Sequence, residues 1–162
     1  MNRVLIVDDI PAMHEQYAYD LRRLGKYETL TACSGSQALE IVEHEQLDCM
    51  ILDLEMPGMD GFEVLDALAK RGLDLPVIVY TATGNYKRCV RAVQLGAYGF
   101  IDKTESMERV VREIESAIER RRLASEVTWL RGLLGEDSPM IGESRVMQEL
   151  RETIERVAPI PS

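Results

Sequence analysis

The chain has 162 residues, 46% of them hydrophobic and 29% charged, and a net charge of −9, enough for one ordinary globular domain with some chain left over. No apolar run nears the roughly 20 residues needed to cross a bilayer, and neither half carries the clustered Lys and Arg that phosphate-backbone binding requires. Cys33, Cys49 and Cys89 are an odd number at wide spacing, which argues against disulfide and zinc frameworks and for small buried residues.

Strand-like apolar runs alternate with helix-like patterns from residue 3 to about residue 122, the signature of βαβ units on a parallel sheet. Met1-Asn2-Arg3 leads directly into the first run, Arg3 to Val7, without a secretory signal, so a cytoplasmic protein is expected. A helix follows from Pro11 to Leu24, with proline in its first turn and Gly25 as its stop. The second run is Glu28 to Cys33. Ser34-Gly35-Ser36-Gln37 then reads as a capping box opening a helix whose apolar face is Ala38, Leu39, Ile41 and Val42.

Asp48 to Asp53 is the third strand, and Gly61 to Lys70 the third helix, burying Phe62, Leu65 and Leu68-Ala69. The fourth pair is Pro76 to Thr81 and Asn85 to Leu95, closed by Gly96; Tyr98 to Ile101 and a helix starting after Thr104 complete five βα units. Arg120-Arg121-Arg122, the only basic run, lies among glutamates and reads as a solvated helix face.

Asp8, Asp9 and Asp53 each end an apolar run, and in a parallel sheet such ends meet at one edge, where ligands bind. Three carboxylates in one cleft repel each other unless a divalent cation joins them, and hard oxygen ligands suit Mg²⁺. Thr81 and Lys103 fall at the same edge. With Asp8, Asp9 and a backbone oxygen after the third strand holding the metal, Asp53 can act as nucleophile on a phosphoryl donor. Lys103, the Thr81 hydroxyl and the metal would neutralise the phosphoryl oxygens.

Val7-Asp8-Asp9, Asp53-Leu54-Glu55-Met56-Pro57-Gly58-Met59-Asp60-Gly61, Thr81-Ala82 and Gly96-Ala97-Tyr98-Gly99-Phe100-Ile101-Asp102-Lys103 together resemble the receiver domain of two-component response regulators. Any one of these pieces is weak; the set in this order is highly specific, and it covers about residues 2–122. The resemblance implies a flavodoxin-like (βα)₅ doubly wound fold, strand order 2-1-3-4-5, that accepts a phosphoryl group from a histidine kinase on Asp53. It also implies Mg²⁺ on Asp8, Asp9, Asp53 and the Glu55 carbonyl, with Thr81, the Ala82 N–H and Lys103 on the phosphoryl oxygens. Thr81 and Phe100 would be the switch pair: a dianion at Asp53 attracts the Thr81 hydroxyl, which vacates space for the Phe100 ring. The family's proline after the lysine is replaced by Thr104, which puts that loop's geometry in question and makes Thr104 a candidate cap for the fifth helix.

Met107, Val111, Ile114 and Ile118 form an apolar stripe. Leu123, Val127, Leu130 and Leu134 form another, out of phase with the first. One long helix is expected, its first half on its own domain and its second half (residues 123–138) pairing with a twin in a short coiled coil; packing back on the same domain is the alternative. Residues 139–162, with Ile141-Gly142-Glu143-Ser144, Met147 to Leu150 and Ile154 to Pro159, resemble the opening helix of the AAA+ ATPase domain of NtrC-like sigma-54 activators. The Walker A loop of that domain is missing, so no ATPase chemistry is expected here. A regulatory fragment of a larger activator, with ATPase and DNA-binding domains beyond it, fits best, although a natural truncation is also open.

His14 and His44 read as surface or packing residues, Met50, Met56 and Met59 as loop and core, Trp129 as a possible helix-interface residue, and Asp60 as a loop turn. Glu55 is placed at the cleft mouth. The rival function, a phosphohydrolase working through an aspartyl phosphate, needs an Asp-x-Asp pair, and Asp53-Leu54-Glu55 lacks the second aspartate. A non-enzymatic switch with no nucleic-acid or membrane contact of its own is therefore preferred.

Overall fold

The structure, a computed structural model, describes residues 1–134; the ATPase-like segment at 139–162 and the last part of the linker lie outside them. Five parallel strands, β1 (Arg3–Val7), β2 (Glu28–Ala32), β3 (Cys49–Leu52), β4 (Val77–Thr81) and β5 (Gly99–Asp102), stand in the order β2-β1-β3-β4-β5. The helices are α1 (Pro11–Gly25), α2 (Gly35–His44), α3 (Gly61–Lys70), α4 (Tyr86–Gln94) and α5 (Met107–Leu133). This is the flavodoxin-like arrangement expected. Among the described residues no helix is long and apolar enough to cross a membrane.

The central strands are apolar throughout because both faces of the sheet are covered. Alternate residues serve opposite layers. Leu5, Val7, Met50, Leu52, Val77 and Val79 join Ala38, Leu39, Phe62, Leu65 and Ala92 on the α2–α3–α4 side. Val4, Ile6, Cys49, Ile51, Ile78 and Tyr80 join Tyr17, Leu21, Val110 and Ile114 on the α1–α5 side. Burying each of the larger side chains contributes about 1.5–3 kcal/mol.

Several local expectations are corrected. Helix α1 runs through Gly25 and stops at Lys26, whose left-handed φ of 56° lets its N–H reach the Arg22 and Leu21 carbonyls. Gly25 serves a different need, since a Cβ there would run into the Tyr27 ring. Ser34 accepts from the Gln37 N–H, but the Gln37 side chain turns to the Cys33 N–H, so only half a capping box forms. The complete box belongs to α3, where Asp60 accepts from the Glu63 N–H and Glu63 reaches back to the Asp60 N–H; Asp60 is a helix cap. Thr104 does not cap α5. Its N–H donates to Asp102, the helix starts from Ser106, and the Lys103–Thr104 bond is trans. Ala69 and Cys33 are exposed.

The long helix changes character along its length. Val110, Val111, Ile114 and Ala117 are buried, and the Arg121 guanidinium donates to the Leu47 carbonyl at 3.2 Å, fastening the helix to the loop before β3. Beyond that point Leu123, Val127, Trp129, Leu130, Leu133 and Leu134 are all exposed, so among the described residues this stretch does not pack back on the domain and Trp129 lies at no interface. Arg122 is ion-paired to Glu119 and Glu126, as a solvated face would be.

Candidate functional site

The strand order reverses direction between β1 and β3, and in such sheets that switch point opens a crevice at the carboxyl ends of the strands. The backbone carries the ladder one residue past each strand: the N–H of Asp8 donates to the Ala32 carbonyl, that of Asp53 to Val7, and that of Lys103 to Thr81. Asp8 and Asp53 are thereby level on one rim, with Lys103 two positions further along it. Asp8, Asp53 and Thr81 are buried, at 2%, 6% and 0% exposure, which is costly for carboxylates unless charge compensates them.

Compensation comes from Lys103. Its Nζ lies 2.8 Å from Asp8 Oδ2 and 3.1 Å from Asp53 Oδ2. Burial works to lower its pKa, but the hydrogen bonds and negative charge of Asp8 and Asp53 outweigh that and hold the ammonium above its ordinary value. Asp9 stands half-buried beside them, and one oxygen from each of Asp8, Asp9 and Asp53 lies within 4.8 Å of the others. Such a set of hard oxygens, with one partly buried cation against three carboxylates, fits a divalent ion such as Mg²⁺.

Neighbouring groups fix the carboxylates in place. Asp8 Oδ1 accepts from the Ile10 N–H at 2.9 Å, and Asp53 Oδ1 from the Glu55 N–H at 3.3 Å. His14, buried in α1, places Nε2 at 2.5 Å from the Asp8 carbonyl, tying α1 to the acidic loop; it is a packing residue as read, with a partner that sequence alone does not reveal. The Tyr80 hydroxyl donates to the Glu105 carbonyl, anchoring the loop that carries Lys103. Gly61 has a role the sequence reading left open. A Cβ there would lie 2.6 Å from the Asp53 carbonyl oxygen and 2.8 Å from Leu54 Cα, so only glycine lets α3 press against the backbone carrying Asp53.

At the cleft mouth, the Glu55 carboxylate is held by Arg88 of α4 at 2.6 Å. Arg88 and Arg91 both lie over the Phe62 ring, at 5.3 and 4.2 Å from its centroid, contacts that tie α4 to α3. The Thr81 hydroxyl is engaged by Thr83, and half-buried Phe100 packs beside Gly84. Met50 and Met56 are core residues and His44 is exposed, as read. All the receiver-type residues expected at the rim, namely Asp8, Asp9, Asp53, Glu55, Thr81, Ala82, Phe100 and Lys103, stand at the carboxyl ends of β1, β3, β4 and β5 or within β5.

Comparisons with known proteins agree with this geometry. Residues 4–115 match the model of the response regulator receiver domain. The chain is 35% identical over 161 residues to the nitrogen assimilation regulatory protein NtrX of Azorhizobium caulinodans, covering 98% of this chain and 35% of that protein. It is 32% identical over 158 residues to the C4-dicarboxylate transport transcriptional regulatory protein DctD of Rhizobium meliloti, covering 96% of this chain and 34% of that one. The chain thus spans about a third of the length of these relatives. Among solved structures it is similar to the signal receiver domain of a putative LuxO repressor protein from Vibrio parahaemolyticus, with a TM-score of 0.74, 28% identity, and coverage of 78% of this chain and 96% of that one.

Proposed function

The chain belongs to the family of response regulator receiver domains, and from that membership we propose that it is the phosphoacceptor switch of a two-component system, with Asp53 taking a phosphoryl group from a sensor histidine kinase. The observation that carries the reading is the meeting of Asp8, Asp9 and Asp53 around the Lys103 ammonium on one sheet edge. A carboxylate oxygen of Asp53 forms a bond to phosphorus while the donor's bond to phosphorus breaks and its electron pair leaves with the donor.

Asp8, Asp9, Asp53 and the Glu55 carbonyl would hold Mg²⁺, which when bound neutralises charge on the phosphoryl oxygens. Lys103 exchanges its contact with Asp53 for a phosphoryl oxygen, and the Ala82 N–H and Thr81 hydroxyl donate to the others. Movement of Thr81 opens space for Phe100 and alters the face formed by α4, β5 and α5, biasing a two-state equilibrium that a partner reads. Glu55 stands where a phosphohydrolase would carry its second acid, and its engagement by Arg88 favours the switch over turnover. The chain works as a signalling module in the cytoplasm and as no enzyme beyond its own phosphorylation and dephosphorylation.

Residues 1–122 form the receiver, 123–138 a helical linker pairing two copies through Leu123, Val127, Leu130 and Leu134, and 139–162 the opening of an AAA+ domain. The parent is a sigma-54 activator with ATPase and DNA-binding parts. Support comes from the tail's resemblance and from matches to NtrX and DctD that cover nearly all of this chain. With Mg²⁺ and acetyl phosphate, the intact mass rises by one phosphoryl group and Asp53→Asn gains none. An unmodified wild type, under conditions that label a known receiver, removes the reading.

A further inference from the structure

Thr81 is wholly buried, and its hydroxyl has a partner outside the acidic cluster. Its Oγ1 shares a hydrogen bond with Thr83 Oγ1 at 3.1 Å and accepts from the Thr83 N–H at 3.3 Å. A hydroxyl has one proton to give. The two Thr83 contacts hold Oγ1 where it is, and a Thr81 proton shared with Thr83 is not free for a phosphoryl oxygen at Asp53. Thr83 itself is an exposed residue of the loop between β4 and α4, with no other side-chain partner recorded among the described residues.

The next residue secures the other half of the pair. A Cβ on Gly84 would fall 2.7 Å from Phe100 Cε1 and 3.2 Å from Cζ, and 3.8 Å from the Thr81 methyl. The Phe100 ring therefore rests against the bare backbone of Gly84, next to Thr81. Two consecutive loop residues hold both switch side chains in one arrangement, one by hydrogen bonding and one by leaving room.

We propose that Thr83 is a positioning residue that holds the Thr81 hydroxyl in the resting orientation and so opposes the phosphorylated state. The inference rests on the receiver-switch reading above and adds a restraint to it. Thr83 touches no reacting atom; it acts through Thr81. Removing its hydroxyl weakens the resting state without touching the phosphorylated one, and every ligand that selects the latter then binds more tightly.

The test is calorimetric titration of the whole chain with beryllofluoride in the presence of Mg²⁺. Thr83→Val keeps the shape and the N–H but loses the hydroxyl, and it is expected to bind about three- to tenfold more tightly, the range of one net hydrogen bond. Thr83→Ser restores the hydroxyl and returns the affinity to that of wild type. Thr81→Ala removes the group on which Thr83 acts, so adding Thr83→Val to it changes affinity less than about twofold. An unchanged or weaker affinity for Thr83→Val overturns the inference, and so does a gain of equal size in the Thr81→Ala background. A wild-type chain that binds no beryllofluoride overturns the receiver-switch reading, and this inference with it, before any variant is compared.

Discussion

The Lys103 ammonium lies 3.1 Å from Oδ2 of Asp53, fifty residues away in sequence, and this contact spans the sheet edge from β5 to β3. It also reaches Asp8 at 2.8 Å, so one cation serves two buried carboxylates. Lys103→Met leaves both uncompensated, and a loss of about 1–3 kcal/mol in unfolding free energy is expected without divalent cation. Millimolar Mg²⁺ restores much of that loss, because an ion bound only by the folded state replaces the missing charge. Urea unfolding with and without Mg²⁺ checks both halves. The folded pKa of Lys103 is raised, so its contribution is fully present below the unfolded value near 10.4 and is lost only as pH climbs through the folded one. Across pH 6–9 the difference between wild type and Lys103→Met stays flat.

Gly61→Ala tests whether the packing of α3 positions Asp53. The added methyl would meet backbone atoms of Asp53 and Leu54, which cannot rotate aside, and the required shift costs about 1–3 kcal/mol. A lower urea midpoint with unchanged slope is expected, together with weaker Mg²⁺ binding, because the displaced backbone carries one of the three carboxylates. Wild-type Mg²⁺ affinity in Gly61→Ala would mean that α3 does not set the position of Asp53.

Much of the fold was legible because its chemistry repeats. Strands covered on both faces must be apolar, so β1, β3 and β4 stand out, and the aspartates directly after β1 and β3 mark the rim. What escaped has no period. Lys26, in a left-handed conformation, ends the helix that sequence stops at Gly25, and the glycine instead leaves room for the Tyr27 ring. The Asp60–Glu63 box had its full pattern in the sequence, yet a loop rich in glycine and proline invited the reading of a turn. Glu55 and Arg88 meet across 33 residues, His14 pairs with a carbonyl rather than a side chain, and the Thr81–Thr83 contact sits in an irregular loop. Contacts of these kinds depend on the path of the chain and leave no recurring mark on it.

The thiols should separate cleanly. Cys33 is exposed, whereas Cys49 and Cys89 are buried, and burial pushes the Cys49 thiol up to about 12 and raises that of Cys89. Brief iodoacetamide treatment at pH 8 is expected to add one carbamidomethyl group to the native chain and three in urea, read by intact mass. The sign of the pH effect follows. The native state keeps a proton on Cys49 that the unfolded chain releases near its ordinary value of 9.0, so this stabilisation is complete below that pH and declines as pH rises from about 9 towards 12. Cys49→Ser or Cys49→Ala should flatten the decline in stability between pH 9 and 10.5.

The far half of α5 presents the last test, because its apolar residues have no cover within the described chain. Leu123, Val127, Leu130 and Leu134 are 47%, 39%, 45% and 73% exposed, and they follow the 4, 3, 4 spacing of a coiled-coil seam. Arg121 fixes where the helix leaves its own domain, so substitutions beyond it leave the receiver core untouched. Leu130→Glu places a charge in the middle of the stripe, where two copies would bring two glutamates together. Light scattering is expected to give a dimer mass for the wild type and a monomer mass for Leu130→Glu at the same concentration, with equal thermal midpoints for the receiver measured below the dimer's dissociation constant. A wild type that is monomeric at every accessible concentration removes the pairing. Equal dimer masses for both proteins would move the interface off the stripe and back to the receiver body.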